Sequence, residues 1–86
     1  MESCYTDKFW ELYTCLPTSI QKQADRALEH LRTNPRYPSL HFKCVNQREA
    51  KYSIRIGIAY RALGHRNGNK IEWHWIGPHD EYLRLI

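Results

Sequence analysis

The sequence predicts an α+β domain, in which a two-helix hairpin packs on a four-stranded antiparallel sheet and a short C-terminal tail follows. Apolar residues recur at helical spacing as far as residue 33, and beyond residue 40 they alternate with polar residues. An Asn67-Gly68 turn between two alternating segments is the strongest hairpin signal. Residues 1–86 are expected to form a single domain, because a chain this short supplies one core.

Two helices are predicted before residue 34. The first, over residues 5–15, has an apolar stripe at helical spacing formed by Tyr5, Phe9, Leu12, Tyr13 and Leu16. The second, over residues 17–33, starts at Pro17, where the missing N–H costs nothing. Its buried face comprises Ile20, Ala24, Ala27, Leu28 and Leu31. Asn34-Pro35 ends it, because a residue before proline avoids helical geometry. No strand is predicted before the first helix.

Four strands are predicted after the helices. The first covers residues 40–45 and places His41 and Lys43 on the face away from the helices. The second presents alternate apolar residues to the helices, namely Tyr52, Ile54 and Ile56. Gly57 then marks a turn or a sharp bend, and the third strand runs from Tyr60 to Arg66.

The last strand follows the Asn67-Gly68 turn and closes at Gly77-Pro78. Because strand side chains alternate between the two faces, the residues predicted to face the helices are Ile71, Trp73 and Trp75. Glu72 and His74 are predicted on the opposite face. Residues 79–86 are predicted to form a tail of one or two helical turns.

The sheet face away from the helices is predicted to be cationic. Arg55 and Arg61 lie on neighbouring central strands, with Lys43 and His74 on the outer ones. Charge on a sheet face requires water, a partner or a ligand. The chain carries 13 Lys and Arg against nine Asp and Glu, a net charge of +4 at pH 7. This excess favours a polyanion or an acidic protein as partner, although a solvated basic surface would have the same composition.

Several classes of protein are disfavoured by the composition. Three cysteines without close pairing favour reduced thiols and a cytoplasmic location. No CxxC, HxxxH or CxxH spacing occurs, so neither a metal site nor a cofactor is expected. No apolar run approaches the roughly 20 residues of a membrane span, and the first ten residues do not resemble a signal peptide.

Four segments carry a resemblance to a known family. They are Asn34-Pro35 with Leu40–Lys43, then Tyr52–Gly57, Tyr60–Leu63 and Trp75–Tyr82. Their order and spacing resemble the RelE/ParE superfamily of bacterial toxins from toxin–antitoxin pairs, over residues 9–85. The tail is most similar to the HigB-type branch, in which a Gly, a His and a Tyr close the last strand.

The resemblance implies a toxin that enters the ribosomal decoding site and cleaves mRNA there, as a metal-independent endoribonuclease held inactive by an acidic antitoxin in a hetero-oligomer. The implied catalytic residues are Arg61, Arg55, His79 and Tyr82. The expected RNA contacts are Lys43, His41 and His74. This chain departs from many RNA-cleaving members at Asp80, because those members carry an arginine near the end of the last strand.

Each candidate has a functional and a structural interpretation. Arg61 would stabilise the phosphate, since a guanidinium binds two oxygens at once. Its structural alternative is an ion pair with Glu72 or Asp80. His79 would act as general acid or base, with His74 as a substitute, or would cap a turn. Tyr82 would stack on a base or relay a proton, or would pack the tail against the core. Arg55 would bind the RNA backbone or lie in solvent.

Two other functions remain open at this stage. A non-catalytic inhibitor of DNA gyrase would depend on exposed helix surface. An inactive relative would bind only its antitoxin. Catalysis, in contrast, requires Arg61 together with a titratable His79 or His74.

Overall fold

The computed structural model describes all residues from Met1 to Ile86 and confirms the α+β class. Its elements, in chain order, are β1 (Glu2–Tyr5), α1 (Asp7–Thr14), α2 (Thr18–Thr33), a 3₁₀ turn (Pro38–Leu40), β2 (Lys43–Asn46), β3 (Lys51–Ile56), β4 (Tyr60–Asn67), β5 (Lys70–Pro78) and α3 (His79–Leu85). The strands form one mixed sheet in the order β1-β5-β4-β3-β2. None of the helices combines the length and the apolar character needed to cross a membrane.

The fifth strand, β1, corrects the predicted four-stranded antiparallel sheet and the prediction that no strand precedes the first helix. β1 runs parallel to β5 along the edge of the sheet. Its first N–H, on Glu2, donates to the carbonyl of Asn69, and the following residue Thr6 donates to Trp73. Four residues are too few to show an alternating pattern, so this strand depends on a partner far along the chain.

Residue Thr6 explains why the first helix starts later than predicted. Its side chain accepts a hydrogen bond from the N–H of Phe9 at 3.1 Å, which satisfies a donor that the helix start leaves free. Tyr5 therefore belongs to β1 rather than to α1. Pro17 precedes α2 and Asn34 follows it, so that helix has close to its predicted bounds.

One sheet face is covered by α1 and α2 and forms the main core. Its eleven buried residues are Phe9, Ala24, Ala27, Leu31, Leu40, Ile54, Ile56, Ala62, Ile71, Trp73 and Ile76. The central strands contribute alternate residues such as Ile54 and Ile56, as predicted. Full burial of such a side chain stabilises the fold by about 1.5–3 kcal/mol.

The segment before β2 differs from the predicted strand over residues 40–45. Pro38 begins a 3₁₀ turn, and His41 after it adopts a left-handed conformation with φ 47°. Leu40 therefore reaches the core from a turn, with 1% of its surface exposed. Proline fixes its own φ and lacks the N–H that a strand ladder uses. Strand pairing begins only at Lys43, opposite Ser53.

A β-bulge in β5 reverses the predicted side of one tryptophan. Gly64 pairs with Trp73, but the preceding Leu63 pairs with Trp75, so His74 is an extra residue. An extra residue shifts every later side chain to the other face. Trp73 is fully buried in the main core, whereas Trp75 lies with Leu63 on the opposite face. The prediction that Trp75 faces the helices is wrong for this reason.

The opposite sheet face is partly covered by α3, which packs on β4 and β5. Tyr82 is the buried residue of this helix, and Ser53 and Leu63 are buried on the same side of the sheet. The remaining surface on this side is the cationic face.

Candidate active site

Two arginines face each other across the central strands, on the side away from α1 and α2. Arg55 in β3 and Arg61 in β4 are Cα partners. Their neighbours Ile54 and Ala62 are fully buried in the main core. Because successive strand residues point to opposite faces, the arginine side chains lie on the other side. Like charges directly opposite each other are destabilising, so this position is suited to an anion.

No carboxylate neutralises the arginine pair. The ion pairs of the chain involve other residues, so the alternative pairing of Arg61 with Glu72 or Asp80 is not observed. Both guanidinium groups therefore keep their charge available to a ligand.

Backbone carbonyls hold the two guanidinium groups in place. Nε of Arg55 donates to the Gly57 carbonyl at 2.9 Å, and Nη1 of Arg61 contacts the Tyr60 carbonyl at 3.4 Å. Burial lowers the pKa of Arg61, the nearby Tyr82 hydroxyl raises it, and the charge of Arg55 lowers it. A guanidinium nevertheless stays protonated in proteins, so both side chains remain cationic.

Helix α3 places Tyr82 beside Arg61, and His79 beside Tyr82. The N–H of His79 donates to the carbonyl of Ala59 at 2.8 Å, which fixes the helix start against the β3–β4 turn. The ring centroids of His79 and Tyr82 are 5.6 Å apart. Cζ of Arg61 lies 5.7 Å from the centre of the Tyr82 ring, within cation–π range. Tyr82 thus links the arginine to the histidine.

Tyr82 is buried and supports Arg61; its ring is not exposed to a ligand. It retains 2% exposure, and its hydroxyl lies 3.2 Å from the Oγ of Ser53, which is buried as well. Stacking on a base or relaying a proton requires an accessible ring or hydroxyl. In this arrangement the ring packs against Arg61 and the hydroxyl is bonded to Ser53, which corresponds to the predicted alternative of packing the tail.

Lys43 and His41 border this cluster in different ways. Lys43 is exposed on the edge strand β2, and its Cα partner is Ser53, the residue bonded to Tyr82. Lys43 therefore adds a third cation to the same sheet face. His41 is exposed and lies outside β2, at the end of the 3₁₀ turn, so the predicted strand does not orient it.

His74 is separated from the other candidates by the bulge. Its ring stacks on His65, with centroids 4.6 Å apart, and its Nε2 is buried without a hydrogen-bond partner. Burial lowers the pKa of His74, and the nearby His65 and Lys51 lower it further. The structure therefore groups His74 with His65, and not with His79 and Tyr82.

Three residues of the site were missed by the sequence analysis. Ser53 was treated only as a polar strand residue, yet it holds Tyr82. Trp75 was placed in the core, but its indole lies against Gly77. A Cβ added at residue 77 would lie 2.6 Å from Cζ2 of Trp75. Gly77 is the Cα partner of Arg61. The only sequence signal was the Gly77-Pro78 pair, which indicated a strand end and not a neighbour of Arg61.

The site can therefore bind an anionic group. Arg55 and Arg61 supply fixed positive charge, and His79 supplies an imidazole on the other side of the Tyr82 ring. No three His, Cys, Asp or Glu side chains lie together in an arrangement that could hold a metal ion.

Comparison with known proteins gives one family and a common fold. A family model described as a ParE-like toxin domain matches residues 18–84. No curated protein matches the sequence. The fold is similar to a chain of the RelB-RelE antitoxin-toxin complex from Methanococcus jannaschii, with a TM-score of 0.75 and 19% identity, over 96% of this chain and 98% of that one.

Two further solved structures give the same result. The YoeB/ParE toxin from Agrobacterium tumefaciens has a TM-score of 0.70 at 14% identity, over 92% of this chain and 99% of that chain. The isolated RelE toxin from E. coli has a TM-score of 0.68 at 13% identity, over 99% of this chain and 98% of that chain. Identities this low establish a shared fold and nothing finer, because one fold hosts many functions.

Proposed function

The chain belongs to the ParE-like toxin domain family, and from this premise we propose that it is the toxin of a toxin–antitoxin pair and cleaves mRNA on the ribosome. The observation that carries the proposal is the facing pair Arg55 and Arg61, unpaired with any carboxylate and adjacent to α3, which holds His79. A polar sheet face of this kind is where a polyanion binds.

The proposed chemistry uses the 2′-hydroxyl of the RNA as nucleophile. The 2′-oxygen bonds to phosphorus as the bond to the 5′-oxygen breaks, which leaves a cyclic phosphate and a free 5′-hydroxyl. A base must accept the proton of the 2′-hydroxyl, and an acid must protonate the leaving oxygen. Arg61 would bind the phosphate oxygens as negative charge develops, assisted by Arg55. His79 would carry one of the two protons, and solvent water would carry the other.

Tyr82 contributes to this proposal through Arg61. Its ring lies under the guanidinium and its hydroxyl is held by Ser53. The proposed role is to keep Arg61 in a fixed position, while the accessible Lys43 contacts the RNA backbone.

The proposed partner is an acidic antitoxin. The net charge of +4 and the unpaired arginines would attract an oppositely charged chain and speed its association. Carboxylates placed on Arg55 and Arg61 would occupy the phosphate position and silence the toxin within a hetero-oligomer. The structural relative from Methanococcus jannaschii is itself part of an antitoxin-toxin complex.

A second candidate is a non-catalytic inhibitor of DNA gyrase. One observation favours it: Trp10 on α1 has 45% of its surface exposed, and exposed aromatic residues on a helix are typical anchors at protein interfaces. This candidate does not use the arginine pair. The third hypothesis is an inactive relative that binds only an antitoxin.

The test is cleavage of a defined mRNA on purified ribosomes by the protein freed of any partner, with DNA supercoiling assayed in parallel. Wild-type protein should cut the mRNA, and Arg61→Ala should lower the rate by about 10²–10³ while the circular dichroism spectrum and melting temperature stay unchanged. Arg61→Lys should restore the rate only partly, because an ammonium cannot bind two oxygens in a fork. His79→Ala should also lower the rate.

The matched control is Arg48→Ala, which removes another exposed arginine. Arg48 lies in the β2–β3 loop, at the opposite end of β3 from the Arg55–Arg61 pair. It should cut mRNA at the wild-type rate. Intact mRNA with the wild-type protein would reject the proposal, and loss of supercoiling activity in that experiment would favour the gyrase inhibitor. Folded Arg61→Ala that cleaves normally would reject the assigned role of Arg61.

A further inference from the structure

A groove with a volume of about 480 Å³ opens beside the β3–β4 turn, at the end of the sheet where Arg55 and α2 come together. Its walls are α2, the 3₁₀ turn and the residues that end β3. The polar side chains that line it are Arg26, His30, Ser39, Gln23 and Arg55. This groove is separate from the cluster of Arg61, His79 and Tyr82, but it shares Arg55 with the arginine pair.

The lining of this groove is cationic and contains no acidic residue. Arg26 and Arg55 both face it, and neither takes part in an ion pair. A second groove of about 530 Å³, beside β1, provides the contrast, because Glu2, Asp25 and Glu29 all line it. Three acidic residues thus line the groove beside β1, together with the basic Arg32 and Lys70, whereas the groove beside the β3–β4 turn has basic residues and no acidic one. An anion is the ligand that fits the groove beside the β3–β4 turn.

Arg55 connects the groove to the arginine pair. Its Cα pairs with Arg61, and its Nε is fixed on the carbonyl of Gly57. The two terminal nitrogens of Arg55 have no hydrogen-bond partner in the protein, so they are free to donate to a ligand. A single extended polyanion could therefore contact Arg61 on one face and Arg26 on the other, passing the turn at Arg55.

An aromatic pair, formed by His30 in the lining of the groove and by Tyr37 packed on it, favours nucleic acid over an acidic peptide as the ligand. The rings of His30 and Tyr37 have centroids 4.1 Å apart, and Tyr37 has 39% of its surface exposed. Proteins that bind single-stranded RNA combine a basic groove along the backbone with aromatic rings on which bases stack. A carboxylate-bearing peptide would use the arginines but has no need of the ring.

We propose that the groove lined by Arg26, His30 and Arg55 is a second RNA subsite, which binds the phosphodiester backbone of single-stranded RNA while a base stacks on Tyr37. The inference rests on the proposed function, because that function makes RNA the ligand of the adjacent arginine pair. The subsite would hold nucleotides beyond the cleaved phosphate and so orient the strand at Arg61.

The test measures binding of a fluorescent 2′-O-methyl oligouridine of about 12 nucleotides, a length within the range that one small domain covers. The methyl groups prevent cleavage, so the measurement reports binding alone. Arg26→Ala should weaken binding roughly threefold to tenfold and reduce the slope of log affinity against log salt by about 0.7, the value for one lost contact with single-stranded RNA. Arg48→Ala is the matched control and should change neither quantity.

Tyr37→Ala separates stacking from charge. It should weaken binding of the same oligonucleotide but leave the salt slope unchanged, because no phosphate contact is lost. Wild-type affinity and slope in Arg26→Ala would overturn the subsite, and so would equal losses in Arg26→Ala and Arg48→Ala. If Arg26→Ala weakened binding of polyglutamate alone, the groove would bind acidic peptide and the proposal would be wrong.

These results are independent of the proposed cleavage. Wild-type protein that fails to cut mRNA on ribosomes, yet shows the Arg26 effect on the salt slope, would reject the endoribonuclease and keep the subsite. Wild-type protein that cuts mRNA normally, with Arg26→Ala binding RNA like the wild type, would keep the enzyme and reject the subsite.

Discussion

The two faces of the sheet are covered in different ways. On one face α1 and α2 bury an apolar cluster that includes Trp73, Phe9 and Ile54. On the other face the short helix α3 buries Tyr82 against Ser53, and Arg61 remains partly accessible beside it. The difference indicates that the first face supplies most of the stability. The second face can therefore carry unpaired charge, because burial in the main core offsets the repulsion between the arginines.

The largest effect on stability is expected from the helix-covered face. Ile54→Ala should lower the free energy of unfolding by about 2–5 kcal/mol, because a fully buried side chain is replaced by a cavity. Denaturant unfolding followed by circular dichroism measures this change. Ile58→Ala is the matched control, since Ile58 lies in the β3–β4 turn with 86% exposure, and it should change the free energy by less than about 0.5 kcal/mol. Equal losses in both variants would contradict the assignment of stability to this face.

The same contrast explains which parts of the fold the sequence could predict. Alternation along β3 separated Ile54 from Arg55, because a pleated strand with one buried face leaves a period of two in the sequence. The turn at Gly57 then aligned Arg55 with Arg61, so the arginine pair was predictable. Both arguments need only neighbouring residues.

The features that were missed depend on distant residues. β1 exists because Glu2–Tyr5 pairs with β5, about 70 residues later in the chain. The bulge inserts His74 into β5, and every side chain after it changes face. The glycine that accompanies it, Gly64, lies on the partner strand β4, so the sequence of β5 around His74 does not mark the extra residue. Trp75 and the Ser53–Tyr82 contact could not be assigned until that register was known.

The next largest effect is expected on the second face, at the buried hydroxyl pair. Tyr82→Phe should lower the free energy of unfolding by about 1–3 kcal/mol, because the Ser53 hydroxyl is then buried without a partner. Ser53→Ala should cost a similar amount by leaving the Tyr82 hydroxyl unpaired. The double variant Ser53→Ala/Tyr82→Phe should cost less than the sum of the two single variants, since it leaves no orphaned group. Additive losses would show that the two hydroxyls do not act as a pair.

A smaller effect is expected from pH, at His74 on the second face. Burial lowers the pKa of His74 below its ordinary value of 6.5, and the charges of His65 and Lys51 lower it further, opposed by Glu72 and Glu49. The unfolded chain therefore binds this proton more readily than the folded chain. The free energy of unfolding should have its maximal contribution from this group above about pH 6.5. It should decrease as the pH is lowered through that value.

Denaturation midpoints between about pH 7.5 and pH 5 measure the effect. His74→Gln should flatten the decline, because it removes the group that must be protonated. His41→Gln, which removes an exposed histidine from the 3₁₀ turn, should leave the decline as in the wild type. An unchanged decline in His74→Gln would assign the pH dependence to other groups.

The smallest effect is expected from a polar contact at the edge of the helix-covered face. The hydroxyl of Tyr13 donates to Oδ1 of Asp25 at 2.7 Å, which raises the pKa of Tyr13 to about 12. Ultraviolet titration should show one tyrosine ionising near that pKa, and Asp25→Asn should return it toward 10. Because the folded pKa lies above the unfolded value, any stabilisation is present below pH 10 and is lost as the pH rises toward 12.

Tyr13→Phe then compares this contact with the Ser53–Tyr82 pair on the other face. The Tyr13 contact is shorter, 2.7 Å against 3.2 Å, but it is exposed whereas the Ser53–Tyr82 contact is buried. Water replaces a lost partner at an exposed site and cannot do so at a buried one. Tyr13→Phe should therefore destabilise the protein less than Tyr82→Phe, measured by denaturant unfolding at neutral pH. The opposite order would mean that the length of the hydrogen bond, and not its burial, decides its contribution.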